Sequence, residues 1–586
     1  MPFVKKAEAI SKLVELLDST RSREVVDFLI SSSLLPQFIS NTQKLVRLED
    51  IWTLSQVIAY LSTDDILTNE DRNLFYKGKP THLRIGLTTT IELNESDFRR
   101  PPEFAAAVRN LMNFVGQSDI VKDKQSEQMS YIGALSLETS SLLVDEYAKR
   151  QIERLARCSS IRSSQFANTA YYMGSKRNLS AFLVEALIEY TTSSSIILDL
   201  MCGSGASAAA FSRNWQTVAS DAQSFCRLLA EVQGGGYSVE RAEKALDKIL
   251  PLARQHSQQM RKWVDEFIGW EDQVFHSDIA GTALDEYRRL IDSYPTYPDG
   301  QRHGNWDPLL EVSRRKSSPK KKPFCLFTAY FANIFFGIRQ CVEIDSLRFA
   351  ISQLDLEEDR RWALGALVSA VSVVGTTYGG HFAQPIIRSS ASVTPNNIGR
   401  IVERRAMSVL HEFSIRLISL AQESERSFYP ILTVPGPWKD ALDTFKQKFD
   451  NMDVVVYLDA PYKREEYSRY YHVLETLVLY NYPTSIGVGR MPDKSAGERF
   501  QSEFFRRNKS DVENAFIDVI TNVLACADTC AWSYSDNGDA DIVSVCDQIE
   551  KRTANKISSY AIPYEHKALG SQSSKAVKEY LIIFHK

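Results

Sequence analysis

Apolar and polar positions change their period several times along this chain. Ala7 to Leu17 and Val25 to Leu35 carry apolar residues at helical spacing, which predicts helices there. His82 to Leu93 alternates as a strand does, so the N-terminal region up to about Gln165 is expected to be mostly, not wholly, helical. The polar stretch Cys158 to Asn168 (CSSIRSSQFAN) marks a junction. Beyond it, Ile196, Ile197 and Leu198 form an apolar β run that enters a glycine turn, and Ala206, Ser207, Ala208 and Ala209 open a helix. Gln216 to Ser220 reads as a second strand, Gln273 to Ser277 as a third, and Val454 to Leu458 as a strongly β-prone run. Phe335 to Ile351 and Arg361 to Val374 read as amphipathic helices, and strand and helix return from about Asn451 to Lys586. This alternation predicts an α/β chain with a mostly parallel sheet covered by helices on both faces.

Length and charge narrow the picture. At 586 residues the chain has room for about three domains. A formal net charge of −4 argues against wholesale coating of a polyanion, so any nucleic-acid surface must be a local patch. The densest basic cluster is Arg314, Arg315, Lys316, Lys320, Lys321 and Lys322, which fits a solvated loop, phosphate contact or a localisation signal. Eight cysteines form no CxxC pairs. Cys526 and Cys530, four apart on a predicted helix, lack histidine neighbours and are expected in the core, so no metal site is expected. A reducing cytoplasm is the simplest compartment, and no apolar run of membrane-spanning length is visible.

The chemistry concentrates in two places. Asp199 ends the first β run, and Cys202, Gly203, Ser204 and Gly205 follow, where glycines let a ligand approach the backbone closely. Taken alone, such a turn is as often an ordinary strand-to-helix connection. Asp221 ends the next strand at the spacing where a ribose hydroxyl is gripped, which suits a dinucleotide and S-adenosylmethionine equally. No phosphate-gripping GxxxxGK[ST] is present, which disfavours a nucleoside triphosphate. The second place is Asp459-Ala460-Pro461-Tyr462, at the end of the β-prone run. A carboxylate and a backbone carbonyl there can accept both hydrogens of an exocyclic amino group, proline fixes the turn, and the aromatic ring can stack on the base.

In these motifs and in their order the chain resembles the Dam-like, adenine-specific DNA methyltransferases. The matching pieces are YMGSKRNL (Tyr172 to Leu179), DLMCGSGA (Asp199 to Ala206), Asp221, DAPY (Asp459 to Tyr462) and its continuation KREEYSRYYHVLETL (Lys463 to Leu477). SYSDNG (Ser533 to Gly538) and the terminal EYLIIF (Glu579 to Phe584) match as well. Ala460 stands where that family has the first proline of DPPY. The resemblance implies a Rossmann-like sheet and S-adenosylmethionine as cofactor. It also implies methyl transfer to N6 of an adenine flipped out of double-stranded DNA. The resemblance runs from about Ala170 to the C-terminus and implies a core split into 166–290 and 451–586 around an inserted target-recognition region over 291–450; the separate pattern of 1–165 reads as an accessory or partner-binding domain.

By the same resemblance, Tyr172, Gly174, Ser175 and Lys176 meet the methionine portion of the cofactor, with Lys176 on its carboxylate. Asp278 either contacts the cofactor's adenine or caps a helix beginning near Ala280. Arg464, Tyr467 and Arg469, with Tyr470, Tyr471 and His472, either face DNA or belong to the core. Tyr378 and His381, in the loop GTTYGGHF, either press on a DNA groove or sit in a plain connection. No nuclease constellation is evident, so in a restriction–modification or phage-defence setting cutting falls to a separate partner. The competing readings are the same chemistry on cytosine N4 or on RNA, and a catalytically silent DNA-binding protein of the same fold. The leading aspartate of DAPY favours adenine.

Overall fold

Residues 170–586 are described by a computed structural model, except 277–281, 298–323, 463–465, 568–573 and a few one- or two-residue gaps. Before residue 170 the described residues are five short strands. Within His82 to Leu93 these are two strands, His82–Ile85 and Thr89–Glu92, paired antiparallel with His82 opposite Glu92. The predicted helices at Ala7 to Leu17 and Val25 to Leu35, Asp278, Arg464 and the basic cluster Arg314 to Lys322 lie outside the described residues.

The apolar runs assemble one seven-stranded sheet. Its strands are β1 (Ile196–Asp199), β2 (Gln216–Asp221), β3 (Ile431–Pro435), β4 (Val454–Leu458), β5 (Thr529–Ser535), β6 (Lys556–Lys567) and β7 (Ser574–His585). Their spatial order is β3-β2-β1-β4-β5-β7-β6. The first five run parallel, and β7 lies antiparallel to both β5 and β6. Alternate side chains go to opposite layers, as the pleat requires. Ile197, Ala219, Val455, Tyr457 and Ile583 enter one core, while Ile196, Leu198, Val456, Trp532 and Ile582 enter the other. Burial on both faces explains why these strands read as continuous apolar runs.

Helices α1 (Ala206–Phe211), α2 (Ser224–Glu231), α3 (Val239–His276), α4 (Ile338–Ser352), α5 (Glu357–Val374) and α6 (Val409–Ser424) feed the first core. Four more follow: α7 (Trp438–Lys448), α8 (His472–Leu479), α9 (Lys509–Leu524) and α10 (Ile542–Arg552). Of these, α8 joins the first core, while α7, α9 and α10 cover the opposite face with Leu442, Phe516 and Val545. Truncating a fully buried aromatic such as Phe516 to alanine typically costs ~3–5 kcal/mol.

Three expectations change here. Gln273 to His276 continue α3 rather than forming a strand. Val264, Ile268 and Val274 are buried along one helical stripe, and that long period overrides the β preference of a short window. The third strand of the sheet is instead Ile431–Pro435, paired with Thr217 to Asp221 of β2. The expected insertion over 291–450 therefore contains core elements β3 and α7, and the inserted helices begin with α3 at Val239. Cys530 is buried in β5 and Cys526 follows the end of α9, so the two are not on one helix. Among the described residues no helix is long and apolar enough to cross a membrane.

This topology fixes where a ligand can bind. The chain runs outward from β1 through β2 to β3, then crosses back to place β4 on the other side of β1. That reversal leaves a crevice outside the carboxyl ends of β1 and β4.

Candidate functional site

The ends of β2 and β4 deliver two acids, Asp221 and Asp459, to that crevice. The loop after β1 is suspended from its two neighbours: Leu200 N–H donates to the Tyr457 carbonyl (3.0 Å) and Cys202 N–H to that of Ser220 (2.9 Å). A tight turn follows, with Gly205 N–H donating to the Cys202 carbonyl at 2.8 Å. Gly203 and Gly205 have φ of +50° and +76°, a region L-residues with a Cβ avoid. The space above Gly203 is shaped by Tyr172, since a Cβ there would lie 2.8 Å from Tyr172 Cε1. Behind the turn, a Cβ on Gly205 would lie 2.4 Å from Ala230 Cα, so this glycine seats the loop on α2.

Asp221 closes the loop from below. Its Oδ2 accepts from Gly203 N–H (3.1 Å) and its Oδ1 from Gln223 N–H (2.9 Å). Burial pushes its carboxyl up to about 6, against the opposing pull of those two N–H groups and Arg227. Asp199 is fully buried at the end of β1 and accepts from Ser207 Oγ at 2.6 Å. Burial raises its carboxyl to about 7, opposed by the Ser207 hydroxyl.

The segment Tyr172 to Lys176 forms the facing wall. The Tyr172 ring stacks on Tyr471 at 4.7 Å between centroids, with Tyr467 at 5.5 Å. Met173 N–H donates to the Tyr471 hydroxyl (2.7 Å), and the Ser175 and Ser204 hydroxyls lie 3.2 Å apart. The YSRYYH segment after DAPY therefore buttresses this wall. Tyr471 and His472 are buried, and Tyr470 packs edge-on against His381 at 4.8 Å. Glu475 of α8 caps α2, accepting from Ser224 and Phe225 N–H, both at 3.0 Å.

DAPY follows β4. Asp459 lies at the strand end, and its Oδ1 is 2.8 Å from Lys176 Nζ. That ammonium also donates to the Tyr462 hydroxyl (3.1 Å) and lies 3.9 Å from Glu579 Oε2 on β7. The Tyr462 hydroxyl in turn donates to Glu579 Oε1 at 3.3 Å. Burial works against the charge on Lys176, yet Asp459, Tyr462 and Glu579 together hold its pKa well above the ordinary lysine value. Burial raises the Asp459 carboxyl, with Lys176 opposing. SYSDNG and the residue after it support the far side: Asp539 N–H donates to the Tyr462 carbonyl (2.8 Å), and Tyr534 meets the Tyr462 ring edge-on at 5.6 Å.

All of this opens onto one cavity of about 490 Å³. It is lined by Tyr172, Gly174, Ser175, Lys176, Cys202, Gly203, Ser204, Asp221, Asp459, Ala460, Pro461, Tyr462 and Tyr467 from the sequence-predicted set. Asp199 and Gly205 stand just behind the lining, tied to it through Ser207 and the turn itself. Tyr378 is 47% exposed under the Arg400 guanidinium, and Arg469 is exposed, and neither lines the cavity. Lys176, expected on a cofactor carboxylate, is paired with Asp459, because a buried ammonium settles on the nearest counter-charge.

The remaining wall escaped the sequence reading. It comprises Pro437 and Trp438 after β3, Glu466, Lys494, and the segment Phe500 to Phe505 with its three phenylalanines. The Trp438 indole N–H donates to Glu503, joining the two parts. The cluster of phenylalanines in FQSEFF was the available signal. The residue types and volume suit a nucleoside-sized ligand: small-molecule pockets span roughly 300–1,000 Å³, with aromatic walls and a few convergent polar groups. Gly203 leaves a cradle that a Cβ would fill, which fits close approach of such a ligand to the backbone. Among the described residues no cluster of three or more His, Cys, Asp or Glu is arranged to hold a metal. Compared with known proteins, the chain matches no family model, no curated protein and no solved structure.

Proposed function

We propose that this chain is an S-adenosylmethionine-dependent DNA methyltransferase that modifies N6 of an adenine flipped out of duplex DNA. One observation carries the reading. The glycine loop and DAPY, remote in sequence, meet on a single cavity at the switch point of the sheet, with Asp459 and Asp221 on its lining. When bound, S-adenosylmethionine supplies an activated methyl group whose sulfonium is already a good leaving group. Tyr172, Gly174, Ser175, Gly203, Ser204 and Asp221 are the residues that would hold it.

The chain's own residues then have to orient the acceptor and exclude water. The lone pair of adenine's amino nitrogen is delocalised into the ring, which makes it a poor nucleophile. Asp459 and a backbone carbonyl near Ala460 would accept its two N–H hydrogens, oppose that delocalisation and favour the positive charge that develops. Alanine at 460 keeps that carbonyl. Tyr462 would stack on the flipped base, held in orientation by Asp539 N–H and Tyr534.

The test is transfer of labelled methyl from S-adenosylmethionine to duplex DNA, RNA and no nucleic acid, with wild type and Asp459→Asn. Wild type should label adenine in DNA. Asp459→Asn should lose ~10²–10³ in rate while retaining cofactor affinity by calorimetry. Label in cytosine or RNA would transfer the reading to those substrates. Cofactor-independent DNA binding with no transfer would leave a silent DNA-binding protein.

A further inference from the structure

Glu579 belongs to none of the roles above, yet it is buried in the network around Asp459. It sits on β7 opposite Ser535 at the end of β5, with a side chain 3% exposed. One ammonium, Lys176, is shared there between two carboxylates, at 2.8 Å from Asp459 and 3.9 Å from Glu579, and the Tyr462 hydroxyl bridges the pair. As long as the Lys176 ammonium sits against Asp459, the ion pair covers one carboxylate oxygen and withholds it from any incoming N–H. A buried ammonium cannot simply leave its partner, because a desolvated charge needs a counter-charge within reach.

We propose that Glu579 is a positioning residue that receives the Lys176 ammonium when it leaves Asp459, freeing the Asp459 carboxylate to accept the N–H of the target base. This rests on the methyltransferase reading of the same site. The transfer is short: closing 3.9 Å to a charge-assisted hydrogen bond of about 2.8 Å moves the ammonium by about 1 Å. Tyr462 can hold it throughout, since its hydroxyl accepts from Lys176 and donates to Glu579. Among the described residues the Tyr457 and Tyr467 hydroxyls also bear on Lys176, and Asp199 is engaged by Ser207. Glu579 is therefore the carboxylate placed to take over the charge.

Two measurements on the full chain test this. The first needs no activity: NMR titration of labelled lysine side chains, with the Lys176 signal assigned by its loss in Lys176→Met. In Asp459→Asn, Glu579 should keep Lys176 charged at least as far into alkaline pH as an ordinary lysine. Adding Glu579→Gln should bring its titration down by a unit or more, each unit being ~tenfold in the protonation equilibrium. Early discharge in Asp459→Asn alone, or no further fall in the double variant, overturns the proposal whether or not the chain methylates DNA. The second is steady-state methyl transfer. Glu579→Gln should lower turnover on duplex DNA by about tenfold, one pKa unit's worth of interaction. Its cofactor affinity and melting temperature should be unchanged, and Glu579→Asp should recover most of the rate. Parallel loss of stability, cofactor affinity and rate would assign Glu579 a structural role instead. A wild-type chain without transfer activity, with the lysine titration as expected, would overturn the methyltransferase reading and leave the two-carboxylate anchor standing.

Discussion

Replacing Gly203 with alanine adds one methyl group at the point where the loop after β1 meets Tyr172. Two costs follow from the geometry. At φ +50° an L-residue is disfavoured relative to glycine by roughly 1–2 kcal/mol. The new Cβ would also lie 2.8 Å from Tyr172 Cε1 and 3.1 Å from Cζ and the hydroxyl oxygen. Carbon–carbon contacts settle near 3.5–4.0 Å, so ring or loop must give by about 0.7 Å or more. The ring is held by its stack on Tyr471 and by Tyr467 beside it, and overpacking of that kind costs ~1–3 kcal/mol. Together these put the variant at about 2–5 kcal/mol of strain, shared between folding and the shape of the cavity. Gly399 provides the control: it lies in the helix Ile398–Ala406, and a Cβ there meets nothing within 4 Å. Gly399→Ala should be neutral or stabilising by up to ~1 kcal/mol. The assay is calorimetric titration with S-adenosylmethionine alongside urea denaturation of both variants. Gly203→Ala should bind at least about tenfold more weakly, ~1.4 kcal/mol, with wild-type affinity in Gly399→Ala. A folded Gly203→Ala protein that binds the cofactor as wild type does would show that the loop shapes the fold and not the ligand site.

Two further outcomes follow from the buried polar groups. Burial raises Asp199 from about 3.8 to about 7, so the native state holds its proton more tightly than the unfolded chain does. Its contribution to stability is fullest below the unfolded value and is lost as pH rises through about 7, so Asp199→Asn should gain on wild type across that window in urea denaturation. Stability curves that stay parallel from pH 4 to 8 would refute the assignment of burial as the cause. Tyr471→Phe removes the acceptor for Met173 N–H and should cost ~1 kcal/mol of stability with a modest loss of cofactor affinity. If neither quantity moves, that N–H finds another acceptor and the wall does not depend on it.

The parallel core of the fold was legible because its strands are buried on both faces. Ile196 to Leu198 and Val454 to Leu458 stand out as apolar runs of strand length bounded by an acid and a turn. β3 was missed because Ile431–Pro435 ends in Pro435-Gly436-Pro437, a sequence that locally reads as a loop. It also presents Leu432 to solvent at 44% exposure, as an edge strand can. The false third strand had the opposite cause. Within a five-residue window Val274 and Phe275 look β-prone, and it takes the whole of α3 to show their helical stripe.

The site was legible where one residue type is demanded by backbone geometry, and illegible where a partner comes from far along the chain. Gly174, Gly203 and Gly205 all have positive φ, and glycine marks such positions openly. The glycine pattern therefore pointed to the loop without any knowledge of its neighbours. Nothing about Lys176 reveals that its counter-charge is Asp459, or that Glu579 on the last strand stands behind it, because those pairings exist only once β4 and β7 occupy their places in the sheet. The same holds for Tyr471, whose spacing is compatible with a core residue, the commoner case, and with a DNA-facing one. Its stack on Tyr172 decides for the core, since a buried aromatic pair gains ~0.5–1.5 kcal/mol beyond its area and exposure would forfeit it. Under the proposed methyltransferase reading, contact with DNA falls to residues that remain exposed. Arg469 and the Tyr378–Arg400 pair are exposed, whereas Tyr467 and Tyr471 are committed to the cavity wall through their packing on Tyr172.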